Sequence, residues 1–310
     1  MKDERIAIID CGTNTFHLLI ADIKNHESTI VYQDKSVVRI GQGGISFGKI
    51  NKDASDRAVS ALQNFSTIIR QHDIHRVYAY ATSAFRSAAN GTELTQRIAR
   101  ETGIHITIID GRREAELIYS GVTYALNDLK ETALVVDIGG GSVEFIIGKG
   151  NDILWKESFE IGGQRLIDLF YATDPITQQS AEELQNFLDV RLGALRKAVD
   201  EHNPGILVGS SGSFETLSEM YTAGTISSNG DGGELPLTKD AFYDLLEKLL
   251  SLPREERLKI PGMVEMRVDM IVVASLLIDY LIQKFNLEII RVSKYALKEG
   301  VLSRLQRGKL

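Results

Sequence analysis

Two short segments carry residue types suited to phosphate chemistry. Asp10-Cys11-Gly12-Thr13-Asn14-Thr15 and Asp137-Ile138-Gly139-Gly140-Gly141-Ser142 share one pattern: an apolar run ending in Asp, Gly two residues on, then hydroxyl side chains. Glycine lets the backbone approach an anion closely, and successive N–H groups form a nest for phosphate oxygens. The first segment offers Asp10 and the backbone of Gly12, Thr13 and Asn14. The second offers Asp137, the backbone from Gly139 through Gly140 and Gly141 to Ser142, and Glu144 just beyond. Carboxylates alone would repel phosphate. They make chemical sense as ligands of Mg²⁺, directly or through water, because this ion takes oxygen ligands and bridges to phosphate oxygens. One such segment alone reads equally well as a tight turn. Two copies, each opening its own half of the chain, favour paired phosphate cradles.

Other candidates have an ordinary reading beside the functional one. Glu114 lies just inside an expected helix start, where an acid complements the helix dipole; it could equally orient and deprotonate water. Arg86, in Ala81-Thr-Ser-Ala-Phe-Arg, is a solvated surface residue or a guanidinium fork for phosphate oxygens. Gly209-Ser210-Ser211-Gly212-Ser213 precedes an expected helix. Its serines can cap that helix, or its N–H groups can hold phosphate or a nucleoside, and local sequence leaves both open. His17 lacks the His or Cys partners of a zinc site. Arg113, Arg165, Arg267, Lys294 and Lys298 could add positive potential, with the solvated surface as the default for each.

The elements that must position these residues repeat. Strands are expected at 5–10, 15–23 and within 28–40, an antiparallel meander. A helix at 52–72 places Ala58, Leu62, Phe65 and Ile69 on one stripe. A strand at 76–81, helices at 82–88 and 92–102, a strand at 104–109 and a helix at 112–124 follow. After the polar stretch 127–132 the plan restarts. Strands are expected at 133–137, 143–149 and 152–160, then helices at 164–171 and 178–202 and a strand at 205–208. Helices at 238–251 and 264–285, a strand at 287–292 and a helix at 296–305 complete it. The polar, glycine-bearing stretch 225–234 is expected to be a mobile loop. The chain thus divides into 1–126 and 127–310, with the last helix expected to pack back on the first domain. The glycine hairpins face one another across a cleft, a favoured ligand site.

Composition narrows the partners. The 310 residues are 43% hydrophobic and 25% charged, ordinary for a globular chain, with a net charge of −7. That charge argues against a nucleic acid polymer as ligand. A single cysteine excludes an internal disulfide framework and a Cys-rich zinc site. No run of apolar residues is long enough for a membrane span, and the start lacks the apolar core of a signal peptide. A reducing cytoplasm is the expected compartment.

The chain resembles the exopolyphosphatase / guanosine pentaphosphate phosphohydrolase (Ppx/GppA) family over nearly its whole length. The resemblance rests on Ile8-Ile-Asp-Cys-Gly-Thr-Asn-Thr-Phe-His, Val38-Arg-Ile-Gly-Gln-Gly, Ala81-Thr-Ser-Ala-Phe-Arg-Ser-Ala and Gly111-Arg-Arg-Glu-Ala-Glu. It continues in Asp137-Ile-Gly-Gly-Gly-Ser-Val-Glu, Ile161-Gly-Gly-Gln-Arg-Leu, Gly209-Ser-Ser-Gly-Ser and Leu297-Lys-Glu-Gly-Val-Leu. It implies an α/β protein of two ribonuclease H-like (actin-like ATPase) domains of duplicated topology. It implies hydrolysis of the terminal phosphoanhydride of inorganic polyphosphate, with guanosine pentaphosphate as the alternative substrate. Glu114 matches the family's catalytic glutamate. Asp137 and Glu144 match its Mg²⁺-associated acids, Asp10, Thr13 and Asn14 its first phosphate loop, Gly139 to Ser142 its second, and Arg86 a substrate-contacting arginine. A homodimer is expected by resemblance alone. Cys11, Thr13, Thr15 and Arg113 depart from the usual pattern, and Arg113 makes the surroundings of Glu114 more positive. Longer members carry a further helical region that helps hold polymer, which is not matched here and weighs against processive handling of very long chains. A kinase or chaperone-like ATPase and a non-catalytic sensor of phosphorylated nucleotides remain as competing classes.

Overall fold

The computed structural model describes residues 4–127, 129–223 and 232–310. The first half comprises β1 (Glu4–Cys11), β2 (Thr15–Lys24), β3 (Glu27–Val37), α1 (Lys52–Gln71), β4 (Arg76–Ala81), α2 (Ser83–Ser87), α3 (Gly91–Thr102), β5 (Ile106–Ile108) and α4 (Gly111–Ala125). The second comprises β6 (Ala133–Ile138), β7 (Val143–Lys149), β8 (Asp152–Phe159), α5 (Gly163–Phe170), α6 (Gln178–Arg191), α7 (Gly193–His202) and β9 (Ile206–Ser210). It continues with α8 (Ser211–Tyr221), β10 (Glu234–Leu235), α9 (Lys239–Ser251), α10 (Arg254–Arg257), α11 (Met270–Phe285), β11 (Ile289–Ser293) and α12 (Leu297–Gln306).

The sheets repeat one another. The first has the order β3-β2-β1-β4-β5 and the second β8-β7-β6-β9-β11, with β10 added at the edge. In each, the meander pairs antiparallel and the following two strands join in parallel. This is the duplicated ribonuclease H-like plan that the family resemblance implies. The register matches as well. Asp10 opposes His17 across the first hairpin, and Asp137 opposes Glu144 across the second. Both turns close identically, Gly12 N–H donating to Thr15 O at 3.2 Å and Gly139 N–H to Ser142 O at 3.0 Å.

Alternation along the strands builds three cores. One face of the first sheet packs Ala7, Ile9 and Phe16 against Leu62 and Phe65 of α1 and Ile98 of α3. The outer face of the second sheet packs on α8, α9 and the apolar α11. Between the sheets, Ile8 and Leu19 of one and Val135 and Ile146 of the other meet α4 and α12. Those two helices cross closely: a side chain on Gly121 would overlap the Ala296 carbonyl, and one on Gly300 the Leu117 carbonyl. Cys11 is fully buried in the first of these cores, with Ala7 and Ile9.

Three local expectations are corrected. The stretch 178–202 is two helices, because Leu192 ends α6 and Gly193 opens α7. The helix expected from 264 begins at Met270, preceded by a single 3₁₀ turn, Glu265–Arg267. Within the expected loop 225–234, residues 225–231 lie outside the described residues, and Glu234 instead pairs with Ser293 as the start of β10. Among the described residues no helix is long and apolar enough to cross a membrane.

Candidate active site

The two hairpins meet at a cavity of about 130 Å³ between the halves. A water needs about 10–15 Å³ on this measure, so the space admits a phosphoryl group and an attacking water. Asp10, Gly12, Thr13, Asn14, Asp137, Gly139, Gly140, Gly141, Ser142, Glu144 and Glu114 all line it, with Ser211 and Gly212. The hairpin tips lie against each other. A Cβ on Gly140 would come within 2.9 Å of Asn14 Nδ2, and one on Gly141 within 2.8 Å of Thr13 Oγ1. A side chain at either position would have to displace these facing side chains.

Backbone and helices make the cavity receptive to anions. Among the described residues, the N–H groups of Thr13, Asn14, Gly140 and Gly141 donate to no backbone acceptor. The Thr15 hydroxyl is buried on the cavity wall without a partner among the described residues. Three helices begin at the cavity: α4 with Glu114, α8 with Ser211, Gly212 and Glu215, and α12 with Lys298. Helix starts present free N–H groups and the positive end of the dipole, a combination that binds phosphate. Ser211 adopts a left-handed conformation with φ 70° at the strand-to-helix junction. A non-glycine residue pays roughly 1–2 kcal/mol for that conformation, a strain found at functional sites.

Acids crowd the same space. Burial pushes Asp10 up to about 7, aided by Asp137 and opposed by Lys298. Burial likewise raises Asp137 to about 6, and burial with the facing Asp137 raises Glu144 to about 7. Ser142 and Ser158 donate to the same Glu144 oxygen at 2.7 and 2.6 Å. Glu114 is held well above the usual carboxylate range by burial and Glu144, against the pull of Arg86. Like charges placed opposite on neighbouring strands destabilise one another. Such a donor set suits a hard cation. Among the described residues, however, no three His, Cys, Asp or Glu side chains converge on one point. Any ion here would take few protein ligands and complete its shell with water and substrate, as Mg²⁺ commonly does.

Arg86 is not on the cavity wall. Its Nη1 donates to Glu114 Oε2 at 2.8 Å and to Ile109 O at 3.1 Å, and its Nη2 to Glu160 Oε1 at 3.1 Å. It therefore orients the acid from behind. Gly209, Ser210 and Ser213 lie beneath the cavity: Gly209 abuts the Phe214 ring, Ser210 donates to Tyr295 O, and Ser213 is fully buried. Among the ionisable wall residues, His17, Glu215, Arg267 and Lys298 lie outside the positions assigned to catalysis, phosphate or metal. The surface expected for Arg267 and Lys298 is replaced by the cavity wall. Arg165 joins the halves, donating to Gly141 O at 2.9 Å and Glu160 Oε2 at 2.9 Å and reaching Ser87 Oγ at 3.3 Å.

The family model described as the Ppx/GppA phosphatase family matches residues 19–307. The chain belongs to the Ppx/GppA phosphatase family. It is similar to exopolyphosphatase 1 of Mycobacterium leprae, 27% identical over 302 residues, covering 97% of this chain and 89% of the relative. Among solved structures it resembles an exopolyphosphatase from Cytophaga hutchinsonii, at 45% identity and TM-score 0.94 with 98% of each chain covered. It also resembles the Aquifex aeolicus Ppx/GppA family member, at 26% identity and TM-score 0.82 with 99% of each covered.

Proposed function

We propose that the protein is an exopolyphosphatase that hydrolyses the terminal phosphoanhydride of inorganic polyphosphate and releases orthophosphate. One observation carries the reading: the buried Glu114 carboxylate, oriented by Arg86, faces a cavity built from two phosphate cradles and three helix starts. In this reading the Thr13, Asn14, Gly140 and Gly141 N–H groups hold the terminal phosphoryl oxygens. Phosphoryl transfer depends mainly on such positioning and charge stabilisation. Glu114 accepts the proton of the attacking water, a contribution of about 10²–10⁴-fold. A raised acid pKa favours this role near neutral pH, since the base must hold a proton in passing and then release it. Asp137 and Glu144 are the proposed Mg²⁺ ligands. When bound, the ion neutralises phosphate charge and relieves the repulsion between the facing acids.

The test is phosphate release with and without Mg²⁺, across short and long polyphosphate, guanosine pentaphosphate and ATP, for wild type and Glu114→Gln. The expected result is Mg²⁺-dependent release from polyphosphate, lost by about 10²–10⁴-fold in a folded, substrate-binding variant. Near-normal turnover in Glu114→Gln would remove that residue from the base role. A second substrate reading, guanosine pentaphosphate, is favoured by a chamber of about 530 Å³ adjoining the cavity, which has room for a nucleoside. A higher kcat/KM for that nucleotide than for polyphosphate would establish it. Transfer of labelled phosphate to an organic acceptor would instead make the protein a kinase.

A further inference from the structure

The reaction cavity has two distinguishable ends. At one end Glu114 meets Arg86, which also lines a shallow surface pocket with Arg112 and Glu160. At the other end His17, Glu215 and Lys298 belong both to the cavity and to the adjoining chamber. The third side is shut. Asn14 Nδ2 lies 3.7 Å from Met270 Sδ, and Arg267 Nη1 lies 3.8 Å from the same sulfur. The helices set the separation of the ends. Gly121 of α4 lies against Ala296 and Gly300 of α12 against Leu117, so the helices run antiparallel across each other. Lys298 therefore stands roughly one and a half helical turns along α4 from Glu114.

Lys298 is equipped for an anion. Its side chain is 18% exposed, and its ammonium meets Glu299 Oε1 at 2.9 Å. The other Glu299 oxygen accepts the Ala296 N–H at 3.1 Å, which caps α12. An ammonium has three donors, and Glu299 is the one side-chain partner of Lys298 among the described residues. The remaining donors stand where cavity and chamber join.

We infer that Lys298 is a further catalytic residue: it holds the leaving phosphate, while the unhydrolysed remainder of the substrate occupies the chamber. The inference rests on the phosphoanhydride reading above. The water oxygen forms the new P–O bond at the Glu114 end. The bridging P–O bond breaks, and its electron pair stays on the bridging oxygen, now a phosphate oxyanion beside the Lys298 ammonium. The water proton passes to Glu114 and then to solvent. Orthophosphate and a chain shorter by one phosphate result. The two ends of one small cavity thus serve the two ends of an in-line displacement.

Tripolyphosphate hydrolysis with Mg²⁺ tests this. Lys298→Gln should lower kcat by about 10²–10³-fold, the usual loss on removing one donor to developing charge. The double variant Lys298→Met/Glu299→Gln removes the ion pair as a whole, keeps a side-chain oxygen for the Ala296 N–H, and should lose as much. Lys298→Arg should stay within about tenfold of wild type, because the charge is kept and only its geometry changes. Circular dichroism and thermal unfolding separate lost fold from lost chemistry. Lys35→Gln, in the chamber, should raise KM several-fold, whereas Arg112→Gln at the opposite pocket should leave it unchanged. A folded double variant with kcat within about threefold of wild type would overturn the inference. So would a KM effect confined to Arg112→Gln, since the substrate would then run the other way. If wild type turns over and Lys298 proves indifferent, this inference alone falls. If wild type hydrolyses no phosphoanhydride, the parent reading falls.

Discussion

Glu114 faces opposing demands: burial resists its charge, and Arg86 at 2.8 Å restores it. Arg86→Gln removes the stabilising partner, so the Glu114 pKa should rise further and the acid limb of kcat/KM should move to higher pH. The loss in kcat/KM should be roughly 10–100-fold, the value of one hydrogen bond to a charged group. A pH–rate profile reads both. Asp10 makes a separate, thermodynamic prediction. Its pKa rises from the ordinary 3.8 to about 7 in the folded protein. The folded state therefore holds this proton more tightly than the unfolded state. The associated penalty is absent at low pH, grows as pH rises between those two values, and is constant above them. Asp10→Asn abolishes that dependence. The melting temperature of the variant relative to wild type should increase from about pH 5 to pH 8 without divalent ion. An unchanged difference across that range would mean Asp10 titrates normally.

Helix starts, more than strands, complete the site. Glu114, Ser211, Glu215 and Lys298 each stand in the first residues of a helix that points at the cavity. The crossing of α4 and α12 fixes two of these starts and depends on Gly121 and Gly300. Gly300→Ala would drive a methyl group into the Leu117 carbonyl. Overpacking of this kind costs about 1–3 kcal/mol, to be read from urea unfolding. It should also lower kcat, because separating the helices displaces Glu114 and Lys298 together. The hairpins were legible in sequence because Asp, Gly and hydroxyl residues lie within one turn, and their chemistry is local. Glu114 was legible through its motif and its place at a helix start. Glu215 was not, and Arg267 and Lys298 were legible only as possible sources of positive potential, since a charged residue reads as solvated until a distant element covers it. The break between α6 and α7 was missed for a related reason. Leu184, Leu188, Leu192 and Leu195 keep helical spacing across Gly193 and conceal the interruption.

At the scale of the molecule, duplication supplies two equivalent Asp-bearing hairpins, and divergence gives them different partners. His17 faces Asp10, where Glu144 faces Asp137. Burial and Lys298 depress His17 to about 3, so it stays neutral, whereas Glu144 keeps a titratable acid on the other side. The halves are tied at the rim by Arg165 and Glu160, and Glu160 also accepts from Ser83 at 2.7 Å. Arg165→Ala removes contacts to Gly141, Ser87 and Glu160 together and should loosen the closed arrangement. KM should rise several-fold with kcat little changed, and the radius of gyration in solution scattering should increase. Equal KM with an unchanged scattering profile would mean other contacts keep the halves together. The buried cysteine gives local unfolding of the first half's core a clock. Cys11 sits at the end of the strand that carries Asp10, and no other thiol occurs in the chain. An alkylating reagent reaches it only when the surrounding strands part, so the labelling rate of the unaltered protein counts those excursions. Substrate or product held in the cradles should slow that count in proportion to occupancy.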